Sequence, residues 1–486
     1  MNKATIGQSE KSENRVKSII FHKEALGITA AVIVFCLVLW GLPQAFDGPP
    51  AKMIAICSTG IVLWITEAIP IGLTSVIMLV LMLVLNPVSI DVVYSGFSSS
   101  AVFLIIGGMI LANAVNQTPL AKRFSYVILS KWGGSAKGLL ASILLIPQIQ
   151  AFFIPATAVR ATLLLPISLN VLDTIGAKKD SPLRKMILLA VAFGGTISGT
   201  AVMTAAIGNV LTVGLVNQLL GMKITYFQWF LYSFPIWLLL IPGIWFVLLR
   251  SFPLKPDEKS FPHIQRHIQS KLHDFGRLSG EEIRCLVILT LTVTLWLTEP
   301  YHGLDPSIPA LIGACLMTLP GIGCAKWKDV VNIDFNSILL LGATLSMGYA
   351  LNKSEAASKI GDVIGMPWVI SIMQHPILAV IFILIVTHII HLLMSNVSTA
   401  VVTLIPIYIS LSQTANINPV FICFIAAITC LHGYILVVET MPNIVVYSSG
   451  QITQKEFLKP GIYSTILMMV ITILITLTWW TWIGLV

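Results

Sequence analysis

Charge is scarce in this chain. Asp, Glu, Lys and Arg make up 10% of the 486 residues, 56% are hydrophobic, and the mean hydropathy is +0.90. A soluble domain carries about a quarter charged residues, so composition alone excludes a soluble globule. Acidic residues are fewer than basic ones, 21 against 29, giving a net charge of +8. That surplus does not point to nucleic acid, because the basic residues sit in loops between apolar runs, where membrane orientation accounts for them. The seven cysteines (Cys36, Cys57, Cys285, Cys315, Cys324, Cys423 and Cys430) include no CxxC pair. They read as small buried hydrophobes, not as a disulfide frame or a metal site. HExxH and a Gly-Lys-Ser/Thr phosphate loop are both missing, which argues against a zinc hydrolase and against an ATP-driven pump. Apart from His388 and His391 no acid/base or nucleophile pair lies within the apolar runs, so neither enzyme chemistry nor a cofactor is expected. No small-residue cleavage site follows the first apolar run, Ala25 to Leu42, which therefore reads as an uncleaved span.

What the chain does have is one apolar run after another, many close to the ~20 residues that a spanning helix needs. The reading is an all-α polytopic membrane protein. Its spans fall near 25–46, 52–70, 71–88, 98–116, 184–220, 227–249, 284–300, 306–322, 336–352, 417–448 and 461–485. Two further regions, 134–175 and 365–414, are too long for one span, and polar residues interrupt them near 155–160 and 391–399. Read as re-entrant hairpins that enter and leave on one side, they leave eleven spans. With a cytoplasmic N-terminus and an external C-terminus, this topology puts 24 of the 29 Lys and Arg inside. Turning either hairpin into an ordinary span spoils the bias.

The spans come in two sets. Trp64-Ile65-Thr66-Glu67 returns as Trp296-Leu297-Thr298-Glu299, and Gly108-Met109-Ile110-Leu111 as Gly342-Ala343-Thr344-Leu345. Leu165-Pro166-Ile167 returns as Ile405-Pro406-Ile407, Asn209 as Asn443, and Ile224-Thr225 as Ile452-Thr453. Five matches in order, at offsets of 228 to 240 residues, indicate a duplication. Each unit holds five spans and a hairpin, so the second begins on the opposite side and the repeats are inverted. The layout is a cytoplasmic arm (1–24), a first span (25–50), repeat 1 (51–250, inner hairpin 134–175), a cytoplasmic linker (251–283) and repeat 2 (284–486, outer hairpin 365–414). A duplicated apolar chain with breaks in matching places is the mark of a secondary transporter.

Irregular backbone survives at membrane depth only where it lines a cavity or contacts protein, so the interruptions are the candidate site. The first runs from Ile154-Pro155-Ala156-Thr157 past Arg160 to Pro166. The second runs from His391 through Ser395-Asn396-Val397-Ser398-Thr399 to Pro406. Helix ends there offer free N–H groups to an anion, and hydroxyl or amide side chains add directional bonds. Thr157, Arg160, Ser395, Asn396, Ser398, Thr399 and Pro442 are the expected substrate contacts. Arg160 could take a carboxylate bidentately or snorkel to the surface. Each half has a second interruption, Gly194 to Asn209 and Glu439-Thr440-Met441-Pro442-Asn443. Its carbonyl and amide oxygens suit a small cation, with Gly208, Asn209, Asn396, Thr440 and Asn443 as the expected ligands. His388 and His391 lie one turn apart and allow a proton-coupling role, although such histidines are more often structural. Glu67 and Glu299, equivalent by repeat, read as helix-end or ion-pair groups.

Trp64-Ile65-Thr66-Glu67-Ala68-Ile69-Pro70, Ser395-Asn396 and Thr440-Met441-Pro442-Asn443 together resemble the divalent anion:sodium symporter family, from about residue 50 onward. The resemblance implies eleven spans, two opposed hairpins, a homodimer and elevator-type alternating access. Members carry di- and tricarboxylates such as succinate, malate and citrate, and some carry sulfate. They bind substrate and sodium through a Ser-Asn-Thr triplet at each hairpin tip and a Thr-Pro-Pro-Asn-like turn nearby. Here the first triplet is Pro155-Ala156-Thr157, the second is Ser395-Asn396-Val397, the first turn is Ile207-Gly208-Asn209, and the second has Met441 for a proline. The expectation is a cell-membrane importer of small di- or tricarboxylate anions coupled to Na+, its partners being the anion, the bilayer and a second copy. The alternative is a dicarboxylate exchanger or a proton-coupled transporter with no sodium requirement.

Overall fold

In a computed structural model, residues 24–41, 48–254, 258–394 and 396–486 are described, and among them all regular structure is helical. The expected arm 1–24 lies almost wholly outside the described residues. Seven helices are long and apolar enough to cross a membrane, or up to eight when the bent pair Pro367–Met373 and Pro376–Leu392 counts as one span. The eleven expected spans include segments built from two shorter helices on either side of a break, which no single-helix length reaches. Thus 184–220 consists of Pro182–Ile197, a 3₁₀ turn Met203–Ala205 and Ile207–Leu220. Likewise 417–448 consists of Pro419–Leu431, a 3₁₀ turn Val437–Glu439 and Met441–Tyr447.

The chain divides into two compact units. One takes Met1–Ser99 and Phe335–Ile364, the other Ser100–Asp334 and Gly365–Val486. In the first, Phe335–Lys353 packs along Ile71–Leu85, and Gly96 N donates to Ser346 Oγ at 3.1 Å. Glu67 ends the helix Pro49–Thr66 in a left-handed conformation (φ 47°) and is exposed.

The second unit contains the hairpins. Ser100–Asn116 packs along Ser307–Thr318. Helix starts follow local chemistry: Ser135 and Ser181 cap Ala136–Gln150 and Pro182–Ile197, and Thr225/Gln228 and Ser279/Glu282 form capping boxes for Tyr226–Ser251 and Gly280–Leu297. Glu299 is buried, accepts from Tyr226 N at 2.6 Å and pairs with Lys223 Nζ at 3.1 Å. A helix absent from the sequence reading, Leu120–Trp132, carries Arg123, whose Nε meets Glu282 Oε1 at 2.7 Å. The linker is not loose. Its helix Pro262–Asp274 packs on Leu120–Trp132 and buries Ile264 and Ile268.

Two prolines interrupt Tyr226–Ser251. Pro235 has no N–H, so the Leu231 carbonyl lacks its helical partner. A π-helical turn, Thr476–Trp480, supplies one: Trp479 Nε1 donates to Leu231 O and Trp480 Nε1 to Tyr232 O, each at 2.9 Å.

Candidate functional site

Four helices of the second unit begin at chain breaks, each after an extended residue. Ala156 (φ −124°, ψ 119°) precedes Thr157–Ile175, and Asn396 (φ −144°, ψ 126°) precedes Val397–Thr414. Ala206 (φ −146°, ψ 139°) precedes Ile207–Leu220, and Thr440 (φ −138°, ψ 148°) precedes Met441–Tyr447. Thr157 and Val397 thus hold the same helical position, and so do Gly208 and Pro442. The first break lies at 151–156, slightly before the expected 155–160, so Arg160 is already inside the helix. The tips differ chemically. Asn396 Oδ1 accepts from Ser398 N at 2.8 Å and caps its helix, leaving the amide Nδ2 to donate elsewhere. Ala156 has no side chain that can do this, so the first-turn N–H groups after it receive no side-chain bond.

The breaks interlock across the two halves. Thr157 Cγ2 and Ala206 Cβ lie 3.2 and 3.4 Å from where a Cβ on Gly199 would stand, so the first tip rests on the first unwound segment. A Cβ on Gly208 would lie 3.0 Å from Val397 Cγ1 and 3.4 Å from Val401 Cγ2. The first unwound segment therefore also meets the second hairpin, in a contact tight enough that any side chain at Gly208 would push on Val397. At the other contact a Cβ on Gly195 would lie 3.0 Å from Pro442 Cβ, and Thr196 Oγ1 is 3.2 Å from Thr440 Oγ1.

Asn209 and Asn443 are bonded alike. Asn209 Nδ2 donates to Gly199 O (2.7 Å) and Val202 O (3.2 Å). Asn443 Nδ2 donates to Gly433 O (3.0 Å) and Leu436 O (3.1 Å). In both cases the acceptors lie ten and seven residues upstream. Both side chains are fully buried, and both Oδ1 atoms lack a hydrogen-bond partner in the protein. A buried amide oxygen left unmet demands an explanation, such as an ion or a water. A neutral, oriented oxygen beside irregular backbone is the donor type that a hard cation takes.

Arg160 is completely buried and does not snorkel. Its Nε donates to Ser198 Oγ at 2.8 Å, Nη2 to Ala205 O at 3.0 Å, and Nη1 to Ile154 O. All three nitrogens are thus engaged in tying the first tip to the first unwound segment, an employment the sequence did not suggest. The buried carboxylate of Glu439 accepts from Ile435 N and Leu436 N at 3.1 Å each and so holds the second unwound segment. His388 is buried with both ring nitrogens unpartnered, and His391 is buried beside the Glu439 backbone. His432 bonds Ile428 O at 2.7 Å and Thr200 Oγ1 at 3.0 Å, again joining the halves.

Of the expected contacts, Ser395 lies outside the described residues. Ser398 and Thr399 are buried behind the second tip, and Thr399 Oγ1 lacks a partner. Thr157, Gly208, Asn209, Asn396, Thr440, Pro442 and Asn443 all lie at the four breaks. The sequence reading missed the role of Gly195, Thr196, Ser198, Thr200 and His432. Ser198, Thr196, Thr200 and His432 bond partners 38 to 244 residues away, and Gly195 faces Pro442. Only the Gly-Gly-Thr and Gly-Thr pairs, as helix-loosening strings, marked the neighbourhood.

The whole chain can be compared with known proteins. A family model described as the sodium:sulfate symporter transmembrane region matches residues 22–486. A membrane protein of Cupriavidus necator is 26% identical over 482 residues, covering 94% of this chain and 93% of that protein. The sodium-dependent dicarboxylate transporter SdcS of Staphylococcus saprophyticus is 25% identical over 491 residues, covering 96% and 93%. SdcS of Staphylococcus aureus (strain USA300) is 25% identical over 488 residues, covering 96% and 92%. In fold, the chain is similar to the crystal structure of the Alcanivorax borkumensis YdaH transporter, with a TM-score of 0.56 at 13% identity over 81% of this chain and 87% of that one. Broken, interlocked helices in an apolar chain, matched by one family description over almost their full length, have a common meaning: this is a multi-pass membrane transporter that belongs to the sodium:sulfate symporter family, the divalent anion:sodium symporters.

Proposed function

We propose that this protein imports small dicarboxylate or tricarboxylate anions of the succinate, malate or citrate type, coupled to sodium, by alternating access. The observation that carries the reading is the pair Asn209 and Asn443, each buried, each holding two carbonyls of an unwound segment, and each keeping one oxygen unmet. Sodium at these two positions would satisfy both oxygens, with Gly208 backbone and the Thr440 hydroxyl close at hand. The anion would bind between the tips, where the helices beginning at Thr157, Ile207 and Val397 present N–H groups and Asn396 Nδ2, the Thr157 and Thr399 hydroxyls and Pro442 complete the pocket. The names of the staphylococcal relatives, sodium-dependent dicarboxylate transporters, support the substrate class and the coupling ion. We read the two halves as inverted repeats with a cytoplasmic N-terminus and an external C-terminus, working as an elevator in a homodimer. The matched cap positions at offsets of 240 and 234 support the repeat.

Uptake of labelled succinate, malate and citrate into proteoliposomes tests this. An inward sodium gradient should drive accumulation. Asn209→Ala and Asn443→Ala should each raise the half-saturating sodium concentration about tenfold or more, where tenfold corresponds to about 1.4 kcal/mol. Uptake that ignores sodium and needs internal dicarboxylate would replace the reading with an exchanger. The buried rings of His388 and His391, with both His388 nitrogens unpartnered, favour a second reading, proton coupling, and accumulation driven by a proton gradient alone would establish it. Asn396→Ala should cost about 1 kcal/mol of cap yet abolish uptake, since the amide donor leaves with the cap. Near-normal uptake by folded Asn396→Ala protein would move the anion away from the second tip.

A further inference from the structure

A second concavity lies away from the breaks, at the end of Tyr226–Ser251 from which the linker leaves. It holds about 620 Å³, and its lining carries three cations, Lys137, Arg250 and Lys259, with an apolar wall of Trp245, Phe246 and Leu249 and, among the described residues, no acidic one. Among the described residues none of the three cations is in an ion pair. The backbone that carries them is pinned together. Ala136 N donates to Lys259 O (3.2 Å), Phe261 N to Gly134 O (2.8 Å), and Trp245 Nε1 to Lys137 O (3.1 Å). An anion seated among these three side chains would meet like-signed partners from three stretches of chain at once.

The wall says which anion. Trp245 and Phe246 stand near the end of a 26-residue helix long enough to span a bilayer, beside the three cations of the lining. Indole rings with cationic side chains at a spanning helix end are the usual company of lipid headgroups, and basic pockets between membrane helices take anionic lipid heads. We propose that this cavity binds an anionic glycerophospholipid, with its phosphate among Lys137, Arg250 and Lys259 and an acyl chain along Trp245, Phe246 and Leu249. A soluble phosphate would match the cations and leave the aromatic wall without a role.

Native mass spectrometry of the full-length protein, released from membranes in mild detergent and titrated with phosphatidylglycerol or phosphatidylcholine, tests the assignment. The protein should retain phosphatidylglycerol in preference to phosphatidylcholine. Lys137→Ala/Arg250→Ala/Lys259→Ala should lose at least tenfold of that retention, while Lys178→Ala/Lys179→Ala, exposed lysines elsewhere, should lose none. Should the triple variant fail to fold, Arg250→Gln alone should still lower retention several-fold. Equal retention of both lipids, retention unchanged in the charge variants, or displacement of lipid by millimolar inorganic phosphate would each overturn the proposal, the last by making this a soluble-anion site.

Discussion

Arg160→Leu should leave little folded protein and no uptake. The guanidinium holds acceptors on three separate stretches of chain: Ile154 at the tip, Ser198 after the helix Pro182–Ile197, and Ala205 before the helix Ile207–Leu220. Removing it strands two carbonyls in a site without exposure, while Ser198 Oγ keeps its own bond to Gly195 O at 2.6 Å. At about 1–3 kcal/mol for each buried group left unmet, the loss is roughly 2–6 kcal/mol, a large share of the stability of many domains. Arg160→Lys separates the two roles that this residue can have. An ammonium keeps the charge but cannot span three acceptors in a plane, so a clamp predicts a lowered melting temperature with a modest change in KM. A carboxylate contact predicts a wild-type melting temperature with KM raised tenfold or more. Melting and kinetics both unchanged would deny Arg160 either role.

Gly208→Val should give folded protein with uptake reduced at least a hundredfold. The added Cβ would already stand 3.0 Å from Val397 Cγ1, and the two further methyl groups of valine have nowhere to go without moving the second hairpin off the first unwound segment. Overpacking of this kind costs about 1–3 kcal/mol, which a large membrane protein survives. The displacement falls on the pair of helix starts, Ile207 and Val397, that the anion is proposed to bridge. Gly208→Ala should fall between the two, since a single methyl needs a shift of only a few tenths of an ångström. Thermal unfolding measured beside uptake distinguishes a misplaced tip from an unfolded protein. Wild-type transport by Gly208→Val would mean that this contact opens during the cycle without consequence.

The sequence revealed a good deal of this. Breaks are easy to see in an apolar chain, because Pro155, the Gly194-Gly195 pair, Pro442 and the Ser395-to-Thr399 string each contradict their surroundings, and the duplicated spacing paired Asn209 with Asn443 in advance. The linkage between breaks was not legible. Thr196 meets Thr440 across 244 residues and Thr200 meets His432 across 232, and no local period records a contact of that range. Arg160 shows the same limit: its charge was conspicuous, but its partners are carbonyls, which every residue has. Leu120–Trp132 escaped notice because an amphipathic helix with Lys122, Arg123 and Lys131 reads as a basic loop when apolar runs are what is being sought.

The indole bonds from the π-turn to Leu231 and Tyr232 set a clock on biosynthesis. Trp479 is made 248 residues after Leu231, which at about 5–20 residues per second is roughly 12–50 s of translation. Until Trp479 arrives, the Leu231 carbonyl is without the helical partner that Pro235 denies it. The last of the described helices therefore does more than add a span. It supplies two hydrogen bonds to carbonyls of a helix made much earlier.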